Sequence, residues 1–484
     1  MAEALKVLFL TPEADPFAKT GGLADVAGSL PGALKRLGAD VRMVLPFYRV
    51  VQEGGFRTDP VVENLKVSLG TDTLTADVME SRTVDDVPVY FIQREDMYNR
   101  PNLYGNPKGD YYDNLERFSF FSQASLRFME NLPFRPDVVH CHDWQTGLAS
   151  ALLKASSLYR DIPTVFTIHN VGYQGLFPAQ KMVLTGLPAP DFFQPQGLEY
   201  YGNISFLKAG IVYSEAITTV SPSYAREIQT AEYGRGMEGI LSYRRDSIHG
   251  ILNGVDYRIW DPATDPLLPA NYSPRNLDGK IACKKSLIQD MGLDLSLENG
   301  PLLGVVSRLD KQKGLDLLIE ILDDILDLQL GLVVLGTGEK PIQDTLKNAA
   351  RKHTGRLAAK IGFDNELAHR IYAGSDMFLI PSRYEPCGLT QMYSLKYGAA
   401  PLVRATGGLD DTIADFNPDT SEGNGFKFQA ADPREFFDAI RKAVTLYKNP
   451  DAWKKLILNG MKADFSWDRS ARTYLDLYTS LAKK

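Results

Sequence analysis

The chain has 484 residues, more than one hydrophobic core usually organises, which predicts about two or three domains. A hydrophobic fraction of 44% and a charged fraction of 23% are those of an ordinary globular protein. The formal net charge of −7 argues against a nucleic-acid partner, because basic surfaces bind phosphate backbones. An anionic small substrate would therefore need local positive groups.

Composition also predicts the compartment. No stretch approaches the roughly 20 apolar residues of a membrane helix, and the apolar run near the N-terminus is too short for a signal peptide. The cysteines, Cys141, Cys283 and Cys387, lie far apart in sequence and suit a reducing environment. We therefore expect a cytoplasmic protein without a membrane partner.

In the first half, short β-branched and apolar runs alternate with helix-length segments. The predicted strands are residues 7–10, 41–45, 87–92, 137–141, 164–168, 216–220 and 248–252. This alternation predicts a largely parallel sheet with helices on both faces.

The first strand leads into residues 19–23, the segment KTGGL, and a helix predicted over residues 24–37. Gly21 and Gly22 let the backbone come close to a bound anion, the helix start offers unpaired N–H groups, and Lys19 adds a positive charge. The segment has neither the Walker A order nor the Rossmann glycine spacing. It is a candidate phosphate-binding loop, and a strand-to-helix turn that needs small residues is the alternative.

A break rich in Pro and Asp at residues 253–274 is followed by a second run of alternation. Its predicted strands are residues 302–306, 331–335, 358–361, 377–380, 401–403 and 425–428. We predict an α/β fold of two facing Rossmann-like domains, residues 1–252 and 253–460, with an interdomain active-site cleft at the carboxyl ends of the strands. Residues 461–484 contain a predicted helix, and its apolar pattern leaves open whether it closes the second domain or crosses back to the first.

A basic segment follows the strand at residues 302–306. Arg308 and Lys313 leave the carboxyl end of this strand, and Gly314 opens the next helix. Fixed cations at such a position can stabilise the negative charge that grows on a diphosphate leaving group without a metal ion. A solvated basic turn is the alternative interpretation.

A second signature, residues 381–390 with the sequence PSRYEPCGLT, follows the strand at residues 377–380. Residues 388–390 begin a predicted helix that offers backbone donors to an anion. Glu385 would repel a phosphate, but its carboxylate can accept hydrogen bonds from sugar hydroxyls. The alternative is a structural charge at a helix N-terminus, favoured by the helix dipole.

Several motifs occur along the chain in a fixed order. They are KTGGLADV at residues 19–26, HCHDW at residues 140–144, TIHN at residues 167–170, SR and KQKG within residues 307–314, and EPCGLT at residues 385–390. Together they resemble the bacterial glycogen synthase and plant starch synthase family over nearly the whole chain, from about residue 5 to residue 470.

This resemblance implies the GT-B arrangement of two Rossmann-like domains, with the final helix returning to the first domain. It implies a retaining glycosyltransferase that moves glucose from ADP-glucose to the non-reducing 4-hydroxyl of an α-1,4-glucan. The implied partners are ADP-glucose and glycogen, with no cofactor, no metal and no nucleic acid. No transit peptide is evident, which favours a bacterial setting; the choice between glycogen and starch as the product and the oligomeric state stay open.

The resemblance also implies catalytic roles for particular residues. Arg308 and Lys313 resemble the pair that clamps the diphosphate, and Glu385 resembles the carboxylate that binds the donor glucose. His169 resembles the histidine whose side chain and backbone carbonyl approach the glucose ring and its reacting carbon. Asp143 resembles an acidic residue on the sugar side of the cleft.

Further positions resemble the family's substrate-binding residues. Lys19 and Gly22 would form the opposite wall of the diphosphate site, and Phe363 occupies the place of an aromatic that stacks on adenine. The complete predicted set is Lys19, Gly21, Gly22, Asp25, Asn170, Asn253, Phe363, Cys387, Gly388, Leu389 and Thr390.

Some positions admit another interpretation. His140 and His142 share a face of a predicted strand and precede Asp143, so a metal site is an alternative, disfavoured because no third His or Cys ligand is suitably spaced. Cys387 precedes a predicted helix and could be a nucleophile, but a small residue packed beneath the loop is expected. Tyr393 stands where related retaining transferases often carry a second glutamate, so we predict no two-carboxylate mechanism.

Two other functions remain alternatives. A sugar-nucleotide epimerase could share the Rossmann-like halves and cationic phosphate loops, but it would lack the KTGG and EPCGLT signatures. A non-catalytic glucan-binding protein would have lost donor-site residues. The donor-site residues present here are Lys19, His169, Arg308, Lys313 and Glu385. The sequence therefore favours the enzyme.

Overall fold

A computed structural model describes residues 4–106 and 108–483. The chain forms two α/β units, Met1–Gly254 with Trp467–Lys484, and Val255–Ser466. Each unit is built on a sheet whose central strands run parallel and are connected by helices. The predicted two-domain α/β fold is thereby confirmed. Within these two described ranges, no helix has the length and apolar character needed to span a membrane.

The described residues of the first unit form a nine-stranded sheet and two small antiparallel sheets, β10-β12-β11 and β6-β7. The strands are β1 (Lys6–Leu10), β2 (Asp40–Pro46), β3 (Asp59–Leu69), β4 (Asp72–Arg82), β5 (Pro88–Gln93), β6 (Gly105–Asn106), β7 (Gly109–Asp110), β8 (Val138–His142), β9 (Thr164–Ile168), β10 (Leu176–Pro178), β11 (Glu199–Tyr200), β12 (Asn203–Ser205), β13 (Ala216–Thr219) and β14 (Ile248–Gly250). The large sheet has the order β14-β13-β9-β8-β1-β2-β5-β4-β3, and the pairs from β14 to β5 are parallel.

The strands predicted in the first half are all present, with small shifts of their ends. The sheet also includes an antiparallel hairpin, β3 and β4, that the sequence patterns did not indicate. Near its end β3 buries only alternate residues, Leu65, Val67 and Leu69, and exposes the polar residues between them. A half-exposed edge strand of this kind lacks the continuous apolar run of a strand buried on both faces.

Helices cover this sheet, and α5 packs closely on α7. The helices are α1 (Gly22–Arg36), α2 (Arg49–Glu53), α3 (Glu95–Tyr98), α4 (Asn114–Phe128), α5 (Trp144–Ala155), α6 (Ala189–Phe192), α7 (Phe206–Tyr213), α8 (Pro222–Glu227) and α9 (Glu238–Tyr243), with short 3-10 helices at Met129–Asn131, Ala179–Thr185 and Arg245–Ser247. A Cβ on Gly147 of α5 would lie 2.0 Å from the carbonyl oxygen of Phe206, so only glycine permits this approach.

The strand order of the first unit reverses between β1 and β8. From β1 the chain moves to β2 on one side, and from β8 it moves to β9 on the other. In open α/β sheets, ligands bind at such a point, beyond the carboxyl ends of the strands. The segments that follow β1 and β8 therefore mark where a ligand of this unit is expected.

The described residues of the second unit form a six-stranded parallel sheet, with the order β17-β16-β15-β18-β19-β20. The strands are β15 (Leu302–Val306), β16 (Gly331–Gly336), β17 (Leu357–Ile361), β18 (Met377–Ile380), β19 (Ala400–Arg404) and β20 (Phe426–Phe428). Each predicted strand of this half is present. The order reverses between β15 and β18, so residues 307–314 and 381–389 follow the two strands at this reversal.

Helices enclose the second sheet on both faces. They are α10 (Asp278–Asp290), α11 (Leu315–Glu320), α12 (Leu322–Asp327), α13 (Lys340–Lys352), α14 (Asn365–Gly374), α15 (Thr390–Lys396), α16 (Gly407–Thr412), α17 (Pro433–Tyr447) and α18 (Pro450–Lys462), with a 3-10 helix at Leu295–Glu298. Neighbouring residues of β15, Leu302 and Leu303, fall in different apolar clusters, as expected for a parallel sheet buried on both faces.

The last helix, α19 (Trp467–Ala482), belongs to the first unit. It buries Ala471, Tyr474 and Tyr478 and contacts α1. The hydroxyl of Tyr478 is hydrogen bonded to Nδ1 of His140 at 2.7 Å. This hydrogen bond thus connects the C-terminal helix to β8, the strand that directly precedes Asp143.

Candidate active site

The loop after β1 is held by a buried carboxylate, Glu13, that the sequence motifs did not indicate. Its Oε2 accepts hydrogen bonds from the backbone N–H of Thr20 at 2.5 Å and of Gly21 at 3.3 Å. Its Oε1 accepts from the hydroxyls of Thr20 at 2.5 Å and Tyr104 at 2.7 Å. Two amides of the predicted phosphate loop therefore donate to Glu13 in this structure. An acidic residue between a buried strand and a glycine-rich loop was the signal that could have identified it.

Lys19 and Asp25, two predicted binding residues, form an ion pair on this loop. Nζ of Lys19 lies 2.5 Å from Oδ1 of Asp25, and the Lys19 side chain is 46% exposed. Burial raises the pKa of Asp25, although the ammonium of Lys19 lowers it. Among the described residues, nothing beyond the adjoining positions lies within 4 Å of a Cβ built on Gly21 or Gly22. The space over the loop is therefore open, and the ammonium can reach a ligand there.

Asp143 follows β8 and holds the backbone of His169. Its Oδ1 accepts a hydrogen bond from the His169 N–H at 2.7 Å. Its φ of 54° lies in the left-handed region, where Asp and Asn are enriched among residues with a side chain. Burial raises the pKa of Asp143 to about 7, although hydrogen bonds from the amides of His169 and Asn170 lower it. Asp143 therefore positions His169, and its protonation changes near neutral pH.

His169 also belongs to a chain of three buried histidines. Its Nε2 lies 3.0 Å from Nδ1 of His142, and the ring centroids of His142 and His140 are 4.0 Å apart. Burial lowers the pKa of all three, that of His169 to about 3. The imidazole of His169 is therefore neutral at physiological pH, and its hydrogen bond with His142 contains a single proton. His142 thus positions the side chain of His169, a role that the sequence motifs did not indicate.

The geometry bears on the alternative metal site at His140 and His142. Nε2 of His140 is hydrogen bonded to Oγ1 of Thr167 at 2.6 Å, and Nδ1 to the hydroxyl of Tyr478. Both ring nitrogens of His140 are therefore engaged within the protein. In the part of the chain that the structure describes, no group of three or more His, Cys, Asp or Glu side chains is placed to hold a metal ion.

The two predicted asparagines differ in their surroundings. Oδ1 of Asn170 accepts a hydrogen bond from the N–H of Gly172 at 2.9 Å. Asn253 is buried, and its Oδ1 has no hydrogen-bond partner among the described residues. Buried polar atoms without a partner are uncommon in proteins. Asn253 therefore offers an unused acceptor, consistent with its predicted binding role.

In the second unit, two predicted catalytic residues form a largely buried ion pair. Nζ of Lys313 lies 2.8 Å from Oε1 and 2.6 Å from Oε2 of Glu385, and the two side chains are 20% and 10% exposed. The hydroxyl of Ser382 donates to Oε2 at 2.8 Å. Because α15 begins only at Thr390, Glu385 lies outside its first turn, and the carboxylate binds Lys313 rather than the helix terminus.

Gly314 allows this ion pair to form. Its φ is 73°, and a Cβ there would lie 2.0 Å from the carbonyl oxygen of Pro381. Any side chain would push the segment after β15 away from the segment after β18. The glycine predicted to open a helix therefore also sets the distance between Lys313 and Glu385.

Arg308, predicted to act with Lys313, has a different environment. Its side chain is 58% exposed, and Nη1 lies 2.8 Å from Oδ2 of Asp310. Its Nη2 donates to Oε1 of Gln312 at 3.1 Å. The structure thus brings Lys313 to Glu385 but leaves Arg308 in solvent, with an exposed guanidinium that can reach a ligand.

The remaining predicted residues of the second unit lie on loops or at a helix start. Cys387 is 5% exposed, which agrees with a residue packed beneath the loop. The side-chain amide of Gln391 donates to the carbonyls of Cys387 at 3.0 Å and Gly388 at 2.9 Å. Leu389 directly precedes the first residue of α15. Phe363 is 92% exposed, so its ring face is open to a flat ligand.

Tyr393, at the position of the missing second glutamate, is packed among aromatic rings. Its ring stacks on Trp260 with centroids 4.0 Å apart. Trp260 also stacks on His369 at 3.9 Å. The side chain at this position therefore contributes to an aromatic cluster within the second unit.

Comparison with known proteins covers both halves of the chain. Residues 6–243 match the starch synthase catalytic domain family, and residues 294–457 match the glycosyl transferases group 1 family. Glycogen synthase of Geotalea daltonii is 45% identical, over 99% of this chain and 100% of that protein. Glycogen synthase of Anaeromyxobacter sp. is 46% identical, also over 99% of this chain and 100% of that protein.

Solved structures agree with this similarity. The catalytic domain of starch synthase IV from Arabidopsis thaliana, bound to ADP and acarbose, has a TM-score of 0.91 and 34% identity, and the match covers 100% of both chains. Sucrose-phosphate synthase from Thermosynechococcus elongatus has a TM-score of 0.61 and 16% identity, over 99% of both chains, and shows the fold alone. The resemblance inferred from the motifs is confirmed by similarity over the whole sequence. The chain therefore belongs to the glycogen synthase family of glycosyltransferases.

Proposed function

We propose that the protein is a glycogen synthase that transfers glucose from ADP-glucose to the non-reducing 4-hydroxyl of an α-1,4-glucan, with retention of configuration. The observation that carries this proposal is the 45% identity, over 99% of the chain, to a protein named glycogen synthase. The starch synthase neighbour bound to ADP supports an adenosine diphosphate donor.

In the proposed donor complex, Arg308 and Lys313 bind the diphosphate and Glu385 binds the glucose. The ammonium of Lys313 neutralises Glu385 in the ligand-free protein. A diphosphate placed within reach of this ammonium competes for it, because phosphate oxygens form strong charge-assisted hydrogen bonds. Glu385 can then accept hydrogen bonds from sugar hydroxyls, and the cations stabilise the charge that grows on departing ADP.

His169 suits the reacting carbon because it is uncharged. Glycosyl transfer develops positive charge on the sugar ring in its transition state. An imidazolium would repel that charge, whereas the low pKa of His169, about 3, keeps its ring neutral. Asp143 and His142 hold its backbone and its side chain respectively. We therefore assign contact with the donor sugar to His169 and positioning of His169 to Asp143 and His142.

The proposed reaction needs no metal ion, because Arg308 and Lys313 supply the positive charge that a metal would supply to the diphosphate. The protein is cytoplasmic, which agrees with Cys141, Cys283 and Cys387 being buried and outside any disulfide.

The test offers labelled ADP-glucose or UDP-glucose to the purified protein, with glycogen as acceptor, and measures the label in glycogen. We expect transfer from ADP-glucose, release of the label by an exo-hydrolase specific for α-1,4 linkages, and the same rate in EDTA. Glu385→Gln is the matched control, because it keeps the size of the side chain and removes its charge. This variant should transfer little glucose.

Other outcomes would contradict particular parts of the proposal. Equal transfer from UDP-glucose would contradict the donor specificity. Transfer from neither donor would favour a non-catalytic glucan-binding protein. Activity that is lost in EDTA and restored by a divalent ion would contradict the metal-free mechanism.

A further inference from the structure

Arg404 is a buried arginine of the second unit to which the proposed donor complex assigns no role. It is the last residue of β19, and its exposed fraction is 8%. β19 lies between β18 and β20 and runs parallel to both. Arg404 therefore lies at the carboxyl ends of the strands, where open α/β sheets bind their ligands.

The guanidinium of Arg404 donates to backbone carbonyls on both sides of its strand. On the β18 side, Nε donates to the carbonyl of Ser382 at 3.1 Å and Nη2 to that of Arg383 at 2.5 Å. On the β20 side, Nη1 donates to the carbonyl of Gln429 at 3.1 Å. These hydrogen bonds compensate the buried charge for its lost contact with water. One side chain thereby fixes the segments that follow two neighbouring strands.

The segment held on the β18 side leads directly to Glu385. The hydroxyl of Ser382 donates to Oε2 of Glu385 at 2.8 Å, while the carbonyl of Ser382 accepts from Arg404. A single residue thus connects the buried guanidinium to the carboxylate. A displacement of Ser382 would therefore change the direction in which the carboxylate of Glu385 points.

The same segment is also hydrogen bonded to the residues that precede Lys313. The backbone N–H of Arg383 donates to the carbonyl of Gln312 at 2.8 Å, and its Nη1 donates to the carbonyl of Lys311 at 2.9 Å. The segment is therefore bonded to Arg404 on one side and to the segment after β15 on the other. Its position thus affects both members of the ion pair described above.

The turn that follows Arg404 supports the other end of this segment. The backbone N–H of Gly408 donates to the carbonyl of Glu385 at 3.2 Å. A Cβ on Gly407 would lie 1.9 Å from the carbonyl oxygen of Glu385, and a Cβ on Gly408 would lie 2.1 Å from that of Cys387. The side chain of Arg404 and the backbone after it therefore hold the segment both before and after Glu385.

We propose that Arg404 is a positioning residue, which holds residues 381–388 so that the carboxylate of Glu385 faces the donor glucose. The inference rests on the proposed function in taking Glu385 to bind that glucose. These hydrogen bonds of Arg404 end on protein carbonyls, so it acts through Glu385 and leaves the affinity for ADP to Arg308 and Lys313. Lysine cannot take this role, because one ammonium lacks the planar fork that bonds carbonyls on two sides at once.

The experiment separates the positioning of glucose from the binding of the nucleotide. Arg404→Lys should lower the kcat for transfer from ADP-glucose to glycogen by about tenfold, because the sugar is held less well for reaction. The Kd for ADP, measured by calorimetry, should change by less than about twofold, since Arg308 and Lys313 bind the diphosphate. Arg356→Lys is the matched control. Nε of Arg356 also donates to a carbonyl, that of Leu330 at 3.0 Å, but at the amino ends of β16 and β17.

Two results would overturn the proposal in a protein that transfers glucose. The first is a kcat in Arg404→Lys equal to the kcat in Arg356→Lys. The second is a Kd for ADP that rises by as large a factor as the kcat falls, because Arg404 would then support the whole site rather than Glu385.

Ser382→Ala is a milder variant, because it removes only the hydroxyl that joins the held segment to Glu385. It should show the same split, with a kcat lowered by about threefold and an unchanged Kd for ADP. A kcat in Ser382→Ala equal to that of the unsubstituted protein would contradict the proposed connection, even if Arg404→Lys does not fold.

Stability provides a measurement that needs no glucose transfer. Arg404→Lys and Glu385→Gln alter one hydrogen-bonded network, so the loss of urea midpoint in the double variant should be smaller than the sum of the single losses. With Arg356→Lys in place of Arg404→Lys, the losses should add. Non-additive losses would support the link between Arg404 and Glu385 even if the protein transferred no glucose, so the two proposals fail separately.

Discussion

In the first unit, burial lowers the pKa of His140, His142 and His169, which keeps these rings uncharged, and raises the pKa of Asp143 to about 7, so this carboxyl changes protonation near neutral pH. In the second unit, the ammonium of Lys313 and the carboxylate of Glu385 are mostly buried but lie 2.6 Å apart as an ion pair. The proposed contacts with the donor sugar thus come from two kinds of buried group.

The cost of burying a charge explains this difference between the two units. Burial disfavours a charge unless a partner and hydrogen bonds compensate for it. A neutral buried group avoids that penalty, but its contribution to the free energy of unfolding depends on pH. The contribution of a paired buried charge depends instead on whether its partner is present. Changes to the two units should therefore affect stability in different ways.

The largest effect on stability is expected from Lys313→Ala. This change leaves the Glu385 carboxylate buried without its partner, and it should lower the free energy of unfolding by about 3 kcal/mol. Under the proposed function it should also lower the rate of glucose transfer by about a hundredfold, because a cation at the diphosphate is lost. Urea denaturation and initial rates measure the two effects.

Two further variants separate stability from activity. Lys311→Ala is the control, because Lys311 is exposed on the same segment. Combining Lys313→Ala with Glu385→Gln removes the unpaired charge, so most of the lost stability should return while activity stays low. If Lys313→Ala were as stable as Lys311→Ala, the pair of Lys313 and Glu385 would contribute little to the free energy of unfolding. The proposed difference between the two units would then be wrong.

The second sheet could be predicted from the sequence almost completely. Its strands are continuous apolar runs such as Leu302–Val306 and Met377–Ile380, because both faces of the sheet are buried. The segments after these strands could also be located, since the chain alternates regularly between strand and helix. The pairing of Lys313 with Glu385 could not be predicted, because they are 72 positions apart and each suggested a different ligand.

The first unit was less predictable for local reasons. The hairpin of β3 and β4 has one exposed face, so its apolar residues alternate with polar ones and the run is easily missed. Glu13 was missed because two of its partners are the backbone amides of Thr20 and Gly21, which leave no mark in a sequence motif, and another, Tyr104, lies 91 positions away in the sequence. The shared proton of His142 and His169 likewise depends on the register of β8 and β9.

An intermediate effect is expected from the pH dependence of the first unit. His169 has a pKa of about 3 in the folded protein, well below the ordinary histidine pKa of 6.5. Between these values the unfolded chain binds a proton that the folded protein does not, so stability falls as the pH decreases from about 6.5 to about 3. His169→Gln should remove this contribution, which is up to about 1.4 kcal/mol per pH unit and therefore below about 3 kcal/mol down to pH 4.5.

Asp143 should act in the opposite direction. Its pKa is raised from 3.8 to about 7, so between these values the folded protein holds a proton that the unfolded chain has lost. Its contribution to stability therefore grows as the pH falls from about 7 to about 3.8, and Asp143→Asn should make the acid-side loss steeper. Urea midpoints at pH 4.5, 6 and 8 measure both variants. Parallel curves for the two variants and the unsubstituted protein would contradict the neutral character of these groups.

The smallest effect on stability is expected from Lys19→Ala. This variant tests whether solvent exposure makes the pair of Lys19 and Asp25 weaker than the pair in the second unit. Lys19 pairs with Asp25 at 2.5 Å, as short as the pair in the second unit, but the side chains are 46% and 29% exposed. Exposed pairs contribute about 0–1 kcal/mol, so the free energy of unfolding should change as little as in Lys35→Ala, which breaks another exposed pair of this unit. Under the proposed function the KM for ADP-glucose should nevertheless rise by about tenfold in Lys19→Ala alone, because a contact to the diphosphate is lost. A stability loss as large as that of Lys313→Ala would mean that distance rather than burial sets the strength of these pairs, and an unchanged KM would remove Lys19 from the donor site.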